Sequence, residues 1–117
     1  MGLLLLSSAA AQAGTRDPLA LQVWPAVSFA PANLVIRATI EVNAENRAVE
    51  IIAESQDLYR SSEIELDGGN APRSSRFEFR SLPSGVYEVR AILYGSGGAP
   101  RAEVRQEVHV VSTGAGR

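Results

Sequence analysis

Three segments of this chain alternate between apolar and polar residues over most of their length, and this period of two limits the possible folds more than any other feature. The segments are residues 34–42, 87–93 and 102–110. Because successive side chains of a strand point to opposite faces, each segment predicts a strand with one buried face. The residues expected to point inward are Ile36, Ala38, Ile40, Val42, Tyr87, Val89, Ala91, Leu93, Ala102, Val104, Gln106, Val108 and Val110.

Shorter apolar runs separated by turn residues complete an all-β pattern. The runs are residues 19–23, 26–29, 63–66 and 76–79, and the glycine-rich YGSGGAP between the last two long strands predicts an antiparallel hairpin. Residues 44–60 fit a helix nearly as well as a strand, and we favour a strand over Arg47–Ala53 because its neighbours are β. The prediction is one antiparallel β-sandwich of about seven strands.

The amino-acid composition excludes several classes of catalytic and metal-binding site. A chain of 117 residues with a formal charge of −2 can form one core, and its acids and bases alternate along the sequence, which disfavours nucleic acid as a partner. All basic residues apart from one histidine are arginine, and there is no cysteine. Lysine and thiol nucleophiles, disulfides and thiolate metal sites are therefore excluded.

The N-terminal sequence MGLLLLSSAAAQAG has an apolar run followed by Ala11-Gln12-Ala13, the small-x-small pattern of a cleaved export signal. The run is too short to span a bilayer. We expect a signal peptide at residues 1–13, a sandwich domain at 19–111, a disordered tail at 112–117, and a secreted or periplasmic location.

The stretch SLPSGVYEVRAIL predicts a corner at the start of a buried strand. Leu82 would point inward, Pro83 would end the preceding strand, Gly85 would allow a close approach, and the Tyr87 hydroxyl would bond the backbone of the turn. Here the chain resembles bacterial secreted immunoglobulin-like and fibronectin type III-like modules over residues 19–111. The resemblance implies an immunoglobulin-like sandwich. This chain departs from antibody domains in lacking the cysteine pair and in placing its tryptophan, Trp24, near the first strand.

Several side chains are candidates for a site. His109 lies among outward charges and has no nucleophile motif near it. The carboxylates of Glu63, Glu65 and Asp67 could bind Ca²⁺ or act as a glycosidase pair, although a solvated strand face explains them better. An aromatic platform could form from Trp24, Tyr59 and Tyr94, of which Trp24 and Tyr59 are expected in the core or half-buried.

The sequence therefore predicts no enzyme, no cofactor and no metal. The expected function is an exported, non-catalytic immunoglobulin-like module for protein interaction or a structural role at the cell envelope, with a carbohydrate-binding accessory module as the alternative. The expected partner is another protein, not nucleic acid, and the chain should not span a membrane. The expected interaction surface is an apolar patch around Val86, Ile92 and Tyr94 on the last hairpin.

Overall fold

The computed structural model describes residues 17–113, which form an all-β fold of two sheets. Two short 3₁₀ turns, Gly68–Asn70 and Ser96–Gly98, lie between strands. The strands are β1 Leu19–Trp24, β2 Val27–Phe29, β3 Ala32–Ile40, β4 Ala48–Glu54, β5 Tyr59–Glu65, β6 Ser74–Leu82, β7 Gly85–Tyr94 and β8 Pro100–Val111. Within residues 17–113, no helix is long and apolar enough to cross a bilayer.

The three-stranded sheet has the order β1-β3-β6 and the five-stranded sheet the order β2-β8-β7-β4-β5. Neighbouring strands are antiparallel except for β2 and β8, which are parallel. The predicted antiparallel hairpin of β7 and β8 is present, with an irregularity between Leu93 and Tyr94. The chain passes from one sheet to the other between β1 and β2, at the residues that include Pro25.

The core lies between the sheets and is built by the side chains that alternation assigned to the inner faces. Tyr87, Val89, Ala91 and Leu93 of β7 are fully buried, and Ile36 of β3 is as well. Burying a large apolar side chain stabilises the fold by roughly 1.5–3 kcal/mol. Successive inward residues therefore hold the two layers together without a metal or disulfide.

The ambiguous segment is a strand, in agreement with the favoured interpretation. β4 pairs with β5 on one side and with β7 on the other, so its backbone groups join ladders on both sides. Ile51 points into the core, whereas Ile52 points to the outer face and is nevertheless 4% exposed. A strand with both faces covered lacks a clean period of two, which explains why its pattern resembled a helix.

The Tyr87 hydroxyl donates a hydrogen bond to the Pro83 carbonyl oxygen at 2.7 Å. Tyr87 and Leu82 are fully buried, and Gly85 begins β7. This contact ties the turn after β6 to the first residues of β7, so the turn and the buried ring hold each other in place.

The two flanks of the sandwich are closed differently. On one flank the edge strands β1 and β2 are joined by the chain itself. On the other flank the edge strands β5 and β6 belong to different sheets, and Arg60 of β5 donates from Nη1 to the Arg80 carbonyl oxygen of β6 at 2.7 Å. The connection from β1 to β2 has two residues, whereas the connection from β5 to β6 spans residues 66–73 and is supplemented by this side-chain hydrogen bond.

Several expectations need correction. The described residues form eight strands, whereas about seven were expected. Val42, expected inward, follows the end of β3 and is 42% exposed. Trp24 and Tyr59, expected in the core or half-buried, are 45% and 55% exposed because both lie on outer faces near strand ends. The signal peptide at 1–13 and most of the tail at 112–117 lie outside the described residues.

Candidate functional site

A groove of about 430 Å³ lies on the outer face of the five-stranded sheet, beside the turn that joins β7 to β8. The end of β7, the start of β4 and the edge strand β5 bring its walls together. The residues that line it are Arg47, Ala48, Glu63, Tyr94 and Gly95–Gly98. The groove thus combines an aromatic ring, charges of both signs and exposed main chain.

Tyr94 supplies the aromatic wall of the groove. Its hydroxyl donates to Oε1 of Glu50 at 2.8 Å. This hydrogen bond raises the pKa of Tyr94 to about 12, assisted by burial and by the negative charges of Glu50, Glu63 and Glu103. The phenol therefore stays protonated at neutral pH, and the carboxylates surrounding it create a negative potential.

Glu50 and Glu63 lie directly opposite each other on β4 and β5. Like charges in directly opposed positions destabilise a sheet. Neither carboxylate forms an ion pair with any residue in the range 17–113, although Glu50 accepts the hydrogen bond of Tyr94. Glu63 therefore lines the groove and Glu50 lies beside it, and neither has an ion-pair partner among residues 17–113.

The turn at Gly95–Gly98 forms a wall of bare main chain. Gly97 and Gly98 have φ angles of 76° and 81°, which disfavour residues with side chains. A Cβ at either position would meet no atom within 4 Å, so the space beside them is open. Hydrogen bonds from Gly95 N–H to the Ala99 oxygen and from Gly98 N–H to the Gly95 oxygen close the turn.

The fully buried side chain of Asn46 fixes the residues that precede β4 beside the groove. Its Nδ2 donates to the Glu41 carbonyl oxygen at 2.9 Å, and its Oδ1 accepts from Nη1 of Arg101 at 2.5 Å. The Nη1 group of Arg47, in turn, donates to the carbonyl oxygens of Ala44 and Asn46. These bonds fix the residues before β4 and thereby place Arg47 at the groove. Sequence reasoning missed Asn46, because its partner Arg101 is 55 positions away.

Five other charged residues of the outer face form an ion-pair network. Arg90 lies within 3.3–3.9 Å of Glu54, Glu88 and Glu103, and Arg105 contacts the latter two at 3.1 Å and 2.8 Å. Exposed pairs of this kind contribute at most about 1 kcal/mol each. These pairs engage both arginines, and neither arginine forms an ion pair with Glu50 or Glu63.

The interaction surface predicted around Val86, Ile92 and Tyr94 does not exist as one patch. Val86 is 55% exposed, but it lies at the opposite end of β7 from Tyr94. Ile92 is only 9% exposed, because it occupies a central strand with Glu50 and Glu103 as its direct neighbours. Of the three predicted residues, only Tyr94 lines the groove.

The other sequence candidates are also dispersed. His109 is on the outer face, where Nε2 lies 2.8 Å from Oε2 of Glu107. Trp24 lies on the outer face of the other sheet, whereas Tyr59 and Tyr94 lie at different ends of the β4 ladder, so the three aromatics form no platform. Across residues 17–113, no three His, Cys, Asp or Glu side chains are grouped to hold a metal, including Glu63, Glu65 and Asp67.

The sequence matches no protein-family model and no curated protein sequence. Among solved structures, the fold is similar to superoxide reductase (neelaredoxin) from Ignicoccus hospitalis, with 19% identity and a TM-score of 0.63 over 87% of this chain and 86% of that one. A variant of the same enzyme gives 17% identity and a TM-score of 0.64, with 86% of each chain covered. A family 76 glycoside hydrolase from a bovine Bacteroides thetaiotaomicron strain gives 17% identity and a TM-score of 0.58, covering 82% of this chain and 21% of that one.

These similarities show the fold and leave the chemistry to be judged from the residues. Superoxide reduction requires a one-electron donor, and redox metals in proteins are held mainly by imidazole and thiolate ligands. This chain has one histidine and no cysteine. The exposed His109 has Glu107 as its polar neighbour. The residues present therefore do not fit a redox metal centre.

The functional prediction from sequence is wrong. We expected a non-catalytic immunoglobulin-like module for protein interaction, or alternatively for carbohydrate binding, because of the strand pattern and the corner. The same strand pattern builds a fold shared with superoxide reductase, an enzyme, over 86% or more of this chain in each of three structures. A strand pattern reports the fold and cannot select a non-catalytic module.

Proposed function

We propose that this protein binds a small organic cation, carrying a primary amine, in the groove beside the β7–β8 turn. The observation that carries the proposal is the opposed pair Glu50 and Glu63, which has no cationic partner within the described chain and lies beside the ring of Tyr94. An ammonium group between the two carboxylates would remove their mutual repulsion. Aromatic rings also attract cations through their electron-rich faces.

The rest of the groove favours an amine that also carries a hydrogen-bond acceptor. Arg47 lines the groove together with Glu63, and a guanidinium has five N–H donors. Only its Nη1 group is engaged by the carbonyl oxygens of Ala44 and Asn46. A short ω-amino acid would place its ammonium at Glu50 and Glu63 and its carboxylate at Arg47.

NMR titration tests the proposal, since the amides of Gly95–Gly98 line the groove and glycine signals are well separated in ¹H–¹⁵N spectra. We expect saturable shifts with butylammonium, with a dissociation constant on the order of 1 mM, and none with 1-butanol. 4-Aminobutyrate should bind more tightly than butylammonium if Arg47 contributes. Equal responses to butylammonium, 1-butanol and sodium chloride would refute cation recognition.

Two variants locate the binding. Glu63→Gln removes one groove charge while preserving the shape of the side chain, and it should weaken butylammonium binding about tenfold, roughly 1.4 kcal/mol. Glu107→Gln is the matched control, because Glu107 lies on the same outer face but away from the groove, opposite Glu88. An equal effect of both variants would mean that the ligand responds only to the overall charge of the face.

We also propose that the fold is immunoglobulin-like in its detailed topology. The division of the N-terminal run between the two sheets and the hydrogen bond from Tyr87 to the Pro83 oxygen support this assignment. Export is likewise a proposal, which rests on residues 1–13, and mass spectrometry of the N-terminus of protein from the native host would test it.

A further inference from the structure

The outer faces of the two sheets carry opposite charge, although acids and bases alternate along the sequence. The five-stranded sheet presents mostly acids, namely Glu50, Glu54, Glu63, Glu65, Glu88, Glu103 and Glu107, against Arg47, Arg90, Arg101 and Arg105. The three-stranded sheet presents mostly bases, namely Arg37, Arg76 and Arg80, against Glu78. Because the two sheets form opposite sides of the sandwich, one molecule has an acidic side and a basic side.

Each face contains a pair of like charges in directly opposed positions. On the basic face, Arg37 of β3 lies opposite Arg76 of β6, and neither forms an ion pair with another residue between 17 and 113. Arg37 instead lies 5.7 Å from the centre of the Trp24 ring. The acidic face has the corresponding pair, Glu50 and Glu63. Both pairs lower the stability of an isolated molecule.

We propose that copies of this chain associate head to tail, with the Arg37 and Arg76 pair of one copy placed over the Glu50 and Glu63 pair of the next. Stacking would neutralise both pairs at once, and a guanidinium is the type of organic cation that two carboxylates bind. The contact joins two different faces, so a dimer keeps one free basic face and one free acidic face, and the assembly can extend. The inference uses the acids of the proposed ligand site but does not require a small ligand to bind there.

The contact should be weak and sensitive to salt. The basic face is only three strands wide, and neighbouring strands are about 4.8 Å apart, so the buried area falls in the range of transient complexes. Exposed charges contribute most of the attraction, and salt screens them. We therefore expect association at high protein concentration and low ionic strength.

Sedimentation velocity of the full chain tests the proposal at about 20 mM and about 500 mM sodium chloride. In low salt, the wild type should form species larger than a dimer as concentration increases, and these should dissociate in high salt. A wild type that stays monomeric at about 1 mM protein in low salt would overturn the proposal, and so would association that salt does not weaken.

Two charge reversals give a stricter test. Arg76→Glu creates an internal ion pair with Arg37, and Glu63→Arg creates one with Glu50, so both variants should fold while each loses one face of the contact. Each variant alone should be monomeric. An equal mixture should form a heterodimer and stop there, because only one intact face of each kind remains to be joined.

Asp57→Arg is the matched control, since Asp57 lies in the loop between β4 and β5 and the substitution changes the net charge as much as Glu63→Arg does. It should associate like the wild type. Self-association of Arg76→Glu or Glu63→Arg at wild-type strength would overturn the proposal and point to the exposed apolar residues Val27 and Phe29 instead. The sedimentation assay and the NMR titration are separate, so either proposal can fail while the other stands.

Discussion

Replacing Asn46 with alanine removes two hydrogen bonds that fix the chain before β4. The amide of Asn46 connects the Glu41 carbonyl oxygen, at 2.9 Å, to the guanidinium of Arg101. The side chain is fully buried, so water does not replace these contacts without a rearrangement of the loop. The substitution therefore tests whether the hydrogen bonds of Asn46 hold the groove residues in place.

The expected cost follows from the two contacts. A hydrogen bond between neutral groups contributes about 0.5–1.5 kcal/mol, and one to a charged group about 1.5–3 kcal/mol. Arg101 is exposed and can be hydrated after the substitution, which favours the lower part of the summed range. We expect Asn46→Ala to lower the free energy of unfolding by about 3 kcal/mol, which corresponds to a fall in Tm of roughly 10–20 °C.

Urea denaturation followed by circular dichroism measures this cost, with two companion variants. Arg101→Met removes only the charged contact and should cost less than Asn46→Ala. Asn43→Ala is the matched control, because Asn43 precedes the same loop and its Oδ1 accepts an exposed hydrogen bond from the Glu45 N–H. It should cost less than about 1 kcal/mol.

The reasoning is refuted if Asn46→Ala and Asn43→Ala unfold at the same urea concentration. That result would mean that the buried amide contributes no more than an exposed one. A large cost for Asn46→Ala with none for Arg101→Met would instead assign the stabilisation to the contact with Glu41 alone.

Two further predictions concern tyrosine hydroxyls. Tyr87→Phe should lower the free energy of unfolding by about 1 kcal/mol in a urea melt, because it removes the bond to the Pro83 oxygen; an unchanged midpoint would contradict this. Tyr94 should ionise near pH 12 in an absorbance titration at alkaline pH, and Glu50→Gln should lower its pKa towards 10. The folded state keeps the Tyr94 proton longer than the unfolded state, so this stabilisation is complete below pH 10 and is lost as pH rises through 12. A Tyr94 pKa that Glu50→Gln leaves unchanged would show that the hydrogen bond is not its main cause.

The inner faces could be predicted from sequence because a period of two translates directly into side-chain direction. Ile36 and Ile40 on β3 and Val89 on β7 are buried as expected. Where a strand is covered on both faces, as at Ile51 and Ile52, the period of two disappears from the sequence. The segment then fits a helix nearly as well as a strand. The alternation of apolar and polar residues therefore predicts a strand best where one face of the strand is buried and the other is exposed.

The site could not be predicted, since it depends on which strands become neighbours. Glu50 and Glu63 are separated by a loop and oppose each other only through the register of β4 and β5. Asn46 and Arg101 come together only because β4 and β8 both flank β7. For the same reason, charges that alternate along the chain become segregated between the faces. Register arises from long-range pairing, which a single sequence does not display.

The unequal flanks of the sandwich determine where solvent can first reach its interior. Between β1 and β2 the layers are linked by peptide bonds, so they cannot separate there without bending the chain. Between β5 and β6 the connecting segment is longer, residues 66–73, and beyond it the guanidinium of Arg60 spans the layers. Small opening fluctuations should therefore pivot about the first flank and admit water along the second, and shortening Arg60 would widen that entry without altering either hydrogen-bonded ladder.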